Sequence, residues 1–169
     1  FTITVNPTPT VDPVANQAVC NNAPTTAVNF TGFVPGTVYN WTNSDPSIGL
    51  AASGTGNIAS FTATNPGTAP VTATITVTPS YTNAGTTCTG TPITFDITVN
   101  PTGQVNQPAS QVVCNNTPTA PVNFTTTVPG TVFDWVNNTP SIGLAASGTG
   151  NIASFTATNA ANAPVVATV

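Results

Sequence analysis

Hydrophobic and polar residues alternate with a period of two through much of the chain. In "VTATITVTP" the residues Val71, Ala73, Ile75 and Val77 fall on one side, and Thr72, Thr74, Thr76 and Thr78 on the other. "ITFDITVN" repeats the pattern, with Ile93, Phe95, Ile97 and Val99 set against Thr94, Asp96 and Thr98. Runs of this kind, bounded by Gly, Pro and Asn, predict strands with one buried face. Shorter candidates are "AVNF" at 27–30, "TVYNWT" at 37–42 and "NIASFTAT" at 57–64. No stretch carries a helical period of useful length.

The pattern recurs. Laid at an offset of 94, residues 1–75 match 95–169 without a gap, and 52 of the 75 positions are identical. "PSIGLAASGTGNIASFTATN" stands unchanged at 46–65 and at 140–159, and "ITVNPT" at 3–8 returns at 97–102. Self-similarity at a fixed period predicts a tandem array. The expected division is a last strand of a preceding repeat at 1–7, a complete repeat at 8–101, and a second repeat at 102–169 truncated before its last strands. The seams "NPTPTVDP" and "NPTGQVNQP" contain Pro, which favours extended, semi-rigid joints. About seven short strands per unit, with turns every ten residues or so, predict an all-β fold of tandem immunoglobulin-like sandwiches in a rod-like array. Trp41 and Trp135, with Phe61 and Phe155, fall in strand-like segments and are expected in the cores.

Within the invariant block, "SGTGN" resembles part of a phosphate-binding loop, but no Lys-Ser/Thr follows and the next residues read as a strand. Gly54 and Gly56, with their counterparts Gly148 and Gly150, are therefore expected to be turn glycines with positive φ. The period also bears on the odd number of cysteines. Cys114 is the counterpart of Cys20, and the counterpart of Cys88 falls beyond residue 169. A Cys20–Cys88 disulfide is the expectation, which implies an oxidising compartment; the alternative is a set of buried thiols.

Composition removes most chemistry. The chain has no Lys, Arg or His, and its acids are Asp12, Asp45, Asp96 and Asp134, giving a formal net charge of −4. Without cations there is nothing to neutralise nucleic-acid phosphates or to bind anionic lipid. Without His or Lys a Ser or Cys nucleophile has no neighbouring base. No apolar run approaches the length of a membrane span. Calcium needs several oxygen ligands with carboxylates among them, yet Asp12, Asp45, Asp96 and Asp134 are matched across the period by Asn106, Thr139, Thr2 and Asn40. No carboxylate recurs, and the same comparison removes a glycosidase-like acid pair. The expectation is no enzyme, no metal and no cofactor. "NFT" at 29–31 and 123–125 and "NWT" at 40–42 are glycosylation-type triplets that an Asn- and Thr-rich chain produces by chance.

"TVYNWTNSDPSIGL" and "TVFDWVNNTPSIGL", followed by "SGTGNIASFTATN", "ATITVTP", "CTGTPITFDITVNP" and the seam Pro, resemble in that order the PKD-like repeats of very large surface proteins of Bacteroidota. These include gliding-motility adhesins and surface filaments exported by the type IX system. Where the PKD pattern carries Gly-Asp-Gly after its Trp, this chain has "NSDPSIG" and "NNTPSIG". The resemblance implies an extracellular stalk at a bacterial cell surface, with neighbouring repeats as its first partners. Two further expectations come from the residues. "FTITVN" at 1–6 is a spare strand, and another copy is a candidate to receive it by strand exchange. A carbohydrate-binding accessory module for surface glycans would need exposed aromatics, for which Tyr39 and Phe133 are the candidates.

Overall fold

The computed structural model describes residues 1–169 and divides into two compact units, Phe1–Thr102 and Gly103–Val169. The fold is all-β, and its only helical pieces are two short 3-10 turns, Pro46–Ile48 and Pro140–Ile142.

The first unit holds six strands: β1 (Gln17–Cys20), β2 (Val38–Asn43), β3 (Ser53–Thr55), β4 (Val71–Asn83), β5 (Thr86–Thr89) and β6 (Ile93–Asn100). They form one sheet in the order β1-β6-β4-β2-β3, with β5 also paired to β4. The β1–β6 pairing is parallel and the others are antiparallel. The two longest strands are the two segments of cleanest alternation. The inward residues Ala73, Ile75, Val77, Ile97 and Val99 are completely buried, while Thr72, Thr74, Thr94 and Thr98 stay at least partly exposed. β4 and β5 are joined through Ala84 and Gly85, both at positive φ (48° and 78°), between the paired residues Asn83 and Thr86. That backbone matches the right-handed twist of a hairpin.

The inward face of the sheet is covered by segments that carry no regular ladder. Val28, Phe30, Ile58 and Ala63 pack in one cluster with Ile75, Phe95 and Ile97. "AVNF" and "NIASFTAT" are joined by the isolated bridge Val28–Ile58, with a second bridge from Pro24 to Thr62, and not by the strands expected at 27–30 and 57–64. Side chains take the place of the ladder. Asn57 Oδ1 accepts from the Phe30 amide at 2.9 Å, and Thr25 Oγ1 accepts from the Phe61 amide at 3.1 Å. Asn and Thr side chains compete for backbone groups in this way because they are short and polar. Phe1–Asn6, also expected to be a strand, lies outside every strand. Phe61 is half-buried against the core.

The second unit holds β7 (Asp134–Val136) and β8 (Ser147–Thr149), paired antiparallel, and the bridges Pro118–Thr156 and Val122–Ile152. Val128, Leu144 and Ile152 are buried, whereas Trp135 and Phe155 are only half-buried.

Candidate functional site

The invariant block and the strand before it build the most constrained local structure in each unit. Trp41 on β2 pairs with Gly54 on β3, and the indole lies over the glycine. A Cβ at Gly54 would stand 2.1 Å from Trp41 Cζ2, and at Gly148 the same atom would stand 2.3 Å from Trp135 Cζ2. Gly54 and Gly148 are thus strand residues whose missing side chain makes room for a ring, not the positive-φ turn glycines expected. Gly56 and Gly150 do take positive φ, at 77° and 70°. Trp41 Nε1 donates to Gly56 O at 3.2 Å, which ties the indole to the turn. Trp135 Nε1 is buried without a partner.

Two asparagines organise the rest. Asn43 Nδ2 donates to Leu50 O and Ala51 O at 3.0 and 3.3 Å, and its Oδ1 accepts from the Asp45 amide at 3.0 Å. Asn137 makes the same three bonds, to Leu144, Ala145 and Thr139, at the same distances. Asn65 is 2 % exposed, donates to Ala69 O at 2.9 Å and to Val99 O at 2.7 Å, and accepts from the Gly67 amide at 3.0 Å. A buried amide is stable only with such partners. Neither asparagine stood out in the sequence, although both are unchanged across the period.

The carboxylates do not converge. Asp45 caps the 3-10 turn, accepting from the Ser47 amide at 3.0 Å. Hydrogen bonding from the Ser47 side chain, and then from its amide, holds the carboxyl below the ordinary range. Asp12 Oδ2 accepts from Thr31 Oγ1 at 2.7 Å, and Asp96 Oδ1 from Thr74 Oγ1 at 2.8 Å. Asp134 is exposed on β7. No three His, Cys, Asp or Glu side chains group closely enough to hold a metal. Tyr39 is half-buried and packs on Phe30, ring centroids 5.6 Å apart. Its hydroxyl pKa is raised by burial and then by the charge of Asp12. Phe133 stacks on Phe124 at 5.5 Å.

The expected Cys20–Cys88 disulfide is absent, and Cys20, Cys88 and Cys114 are all free thiols. Sheet register gives the reason. Cys20 sits beside Asn100, one place past the Val71–Val99 pair, whereas Cys88 lies opposite Tyr81. The length of β4 between Val71 and Tyr81 separates them by on the order of 30 Å. A disulfide needs Cα atoms within about 7 Å. Neither cysteine is fully buried, so the alternative of buried thiols fails as well.

No protein-family model and no curated protein matches the chain.

Proposed function

We propose that the chain is a non-catalytic structural segment, two units of a stalk that acts as a semi-rigid spacer in an extracellular bacterial adhesin or surface filament. Each unit is read as an immunoglobulin-like, PKD-like β-sandwich. The bridged segments around Val28 and Ile58 form the layer opposite the β1–β6 sheet, in the manner of two sheets enclosing one core. The observation that carries the reading is the recurrence at 94 residues of both sequence and anchoring bonds. Asn43 and Asn137 make the same three contacts, and Gly54 and Gly148 admit the same ring. What is repeated holds strands and turns together and includes no carboxylate or cation shared by the two units.

With the disulfide gone, the extracellular assignment rests on the resemblance to PKD-like surface repeats and on a surface with four carboxylates and no Lys, Arg or His. Such a surface gives salt little to screen. Small-angle scattering tests the spacer reading. A rod of about 80 Å is expected, taking each unit at about 40 Å from strands of ordinary length plus loops. A coil-like profile, or a compact globule, would overturn it.

A further inference from the structure

The sheet of the first unit has a second face, turned away from the core, that none of the anchoring contacts uses. Inward residues of β4 and β6 seal the core, so the residues between them point outward. Every outward position of β4 from Thr72 to Ser80 carries a hydroxyl: Thr72, Thr74, Thr76, Thr78 and Ser80. Sheet register sets these beside neighbours of the same kind. Thr76 stands beside Thr94 on β6 and Thr42 on β2, and Thr42 stands beside Ser53 on β3. That is one row of four hydroxyls across four strands. A second row runs from Thr78 through Asn40 to Thr55, and a third pairs Thr72 with Thr98.

The margins of this grid are tied together and its centre is free. Thr72 Oγ1 and Thr98 Oγ1 lie 2.9 Å apart, and Thr74 Oγ1 donates to Asp96 Oδ1 at 2.8 Å. Thr55 Oγ1 donates to Asn40 Oδ1 at 3.2 Å. The hydroxyls of Thr94, Thr76, Thr42 and Ser53 bond to nothing else in the chain, and all four residues are at least partly open to solvent. Among the outward residues of β2, β4 and β6 the only charge is Asp96, already engaged by Thr74, and none is aromatic. The fold does not demand threonine at these places. Thr42 and Thr72 are Val136 and Val166 in the copy, side chains of the same shape without the hydroxyl.

Side chains on one face of such a sheet repeat at about 4.8 Å from strand to strand and about 6.8 Å along each strand. Oxygen atoms in the prism plane of hexagonal ice lie on a rectangular grid whose two repeats are close to these lengths. A threonine offers that lattice a hydroxyl in place of a water and a methyl that keeps the surrounding waters caged. Ordered waters bridge polar groups with little loss of enthalpy, whereas a charged side chain would first have to give up its own hydration. A polysaccharide surface would call for exposed aromatic rings, and a polyanion for cations; the face has neither.

The geometry points to an ice-binding face: the outward hydroxyls of β6, β4 and β2, centred on Thr76, dock the first unit onto a prism plane of ice. Sheet twist, about 20–25° between neighbouring strands, limits flush contact to β4 and the strands beside it. The contact is therefore small, and its signature is adsorption and crystal shaping, not deep supercooling. This function lies beyond the spacer reading and rests on the first unit alone.

Ice partition of the 169-residue chain is the test. A dilute solution is frozen slowly from a seeded front, and protein in the ice is compared with protein left in the liquid. Severalfold enrichment in the ice is expected, with faceted crystals in place of round discs on a cold stage. Thr76→Lys and Thr42→Lys place a hydrated cation at the centre of the row, and each should return the chain to the liquid. Thr26→Lys, at an exposed position on the opposite layer, should leave the enrichment unchanged. Circular dichroism checks the fold of each variant, and the two face variants lie on different strands, so one decides if the other fails to fold. A parent chain rejected from ice, or enrichment indifferent to the folded face variants, overturns the proposal. So does retention on crystalline cellulose or chitin without retention in ice, which would assign the hydroxyl face to a polysaccharide. A chain rejected from ice that still scatters as a rod would leave the spacer reading standing while ice binding falls.

Discussion

Gly54 and Gly56 are two residues apart and lack a side chain for different physical reasons. At Gly54 the obstacle to a side chain is the Trp41 ring, 2.1 Å from a built Cβ; at Gly56 it is the φ of 77° alone, with nothing within 4 Å. Gly54→Ala should therefore cost about 1–3 kcal/mol by overpacking and disturb the indole. Gly56→Ala should cost about 1–2 kcal/mol of backbone strain and leave the indole in place. Trp41 fluorescence and chemical unfolding in a Trp135→Phe background separate the two. Ala84 is the reverse case, a residue with a Cβ at φ 48° in a tight hairpin. Ala84→Asn should stabilise the first unit by roughly 0.5–1 kcal/mol, since Asn tolerates that region and suits the turn. Asp45 gives a pH signature. Its folded pKa is depressed by the bond from Ser47, so its stabilisation is present above about pH 4, the unfolded value, and is lost as pH falls through the lower folded value. The melting-temperature difference between the parent and Asp45→Ala should be largest near neutral pH and shrink in acid.

β4 and β6 were legible because a strand with one buried face writes its alternation directly into the sequence, Ala73, Ile75 and Val77 against Thr72, Thr74 and Thr76. The patterns at 27–30 and 57–64 predict strands that do not form, because alternation reports burial and not pairing. Ile58 is buried as the pattern requires, yet Asn57 and Thr25 take the amides a ladder would use. The cysteines failed for a related reason. Sequence period gives equivalence between units but no distance within one, and the position of Cys88 on β5, opposite the far end of β4, follows from hairpin register alone. Free, unburied thiols lead to a direct expectation. Cys20 and Cys114, both exposed, should react rapidly with a thiol reagent in the native protein, and a reductant should leave the melting temperature unchanged. A drop in melting temperature on reduction would show a bond between cysteines.

The two units differ in how far their inner faces are covered. Ile75 is completely buried in the first, whereas its counterpart Val169 is 52 % exposed in the second. Burial of apolar area contributes about 25 cal/mol per Å², so calorimetry of the dilute chain should resolve two transitions. The lower should belong to the second unit. The sequence alone settles that this is an all-β chain, that its halves are copies, and that it lacks the base, the cations and the recurrent carboxylates on which most chemistry depends. Those properties are carried by residue identity and spacing, which need no coordinates. The tertiary structure decides what the invariant block is for: Gly54 yields space to Trp41, Gly56 turns the chain, and Asn43 and Asn65 satisfy backbone that the sheet leaves unpaired. It also decides that the cysteines stay apart. Close approach, hydrogen-bond partnership and exposure are relations between distant residues, and only the folded chain brings those residues together.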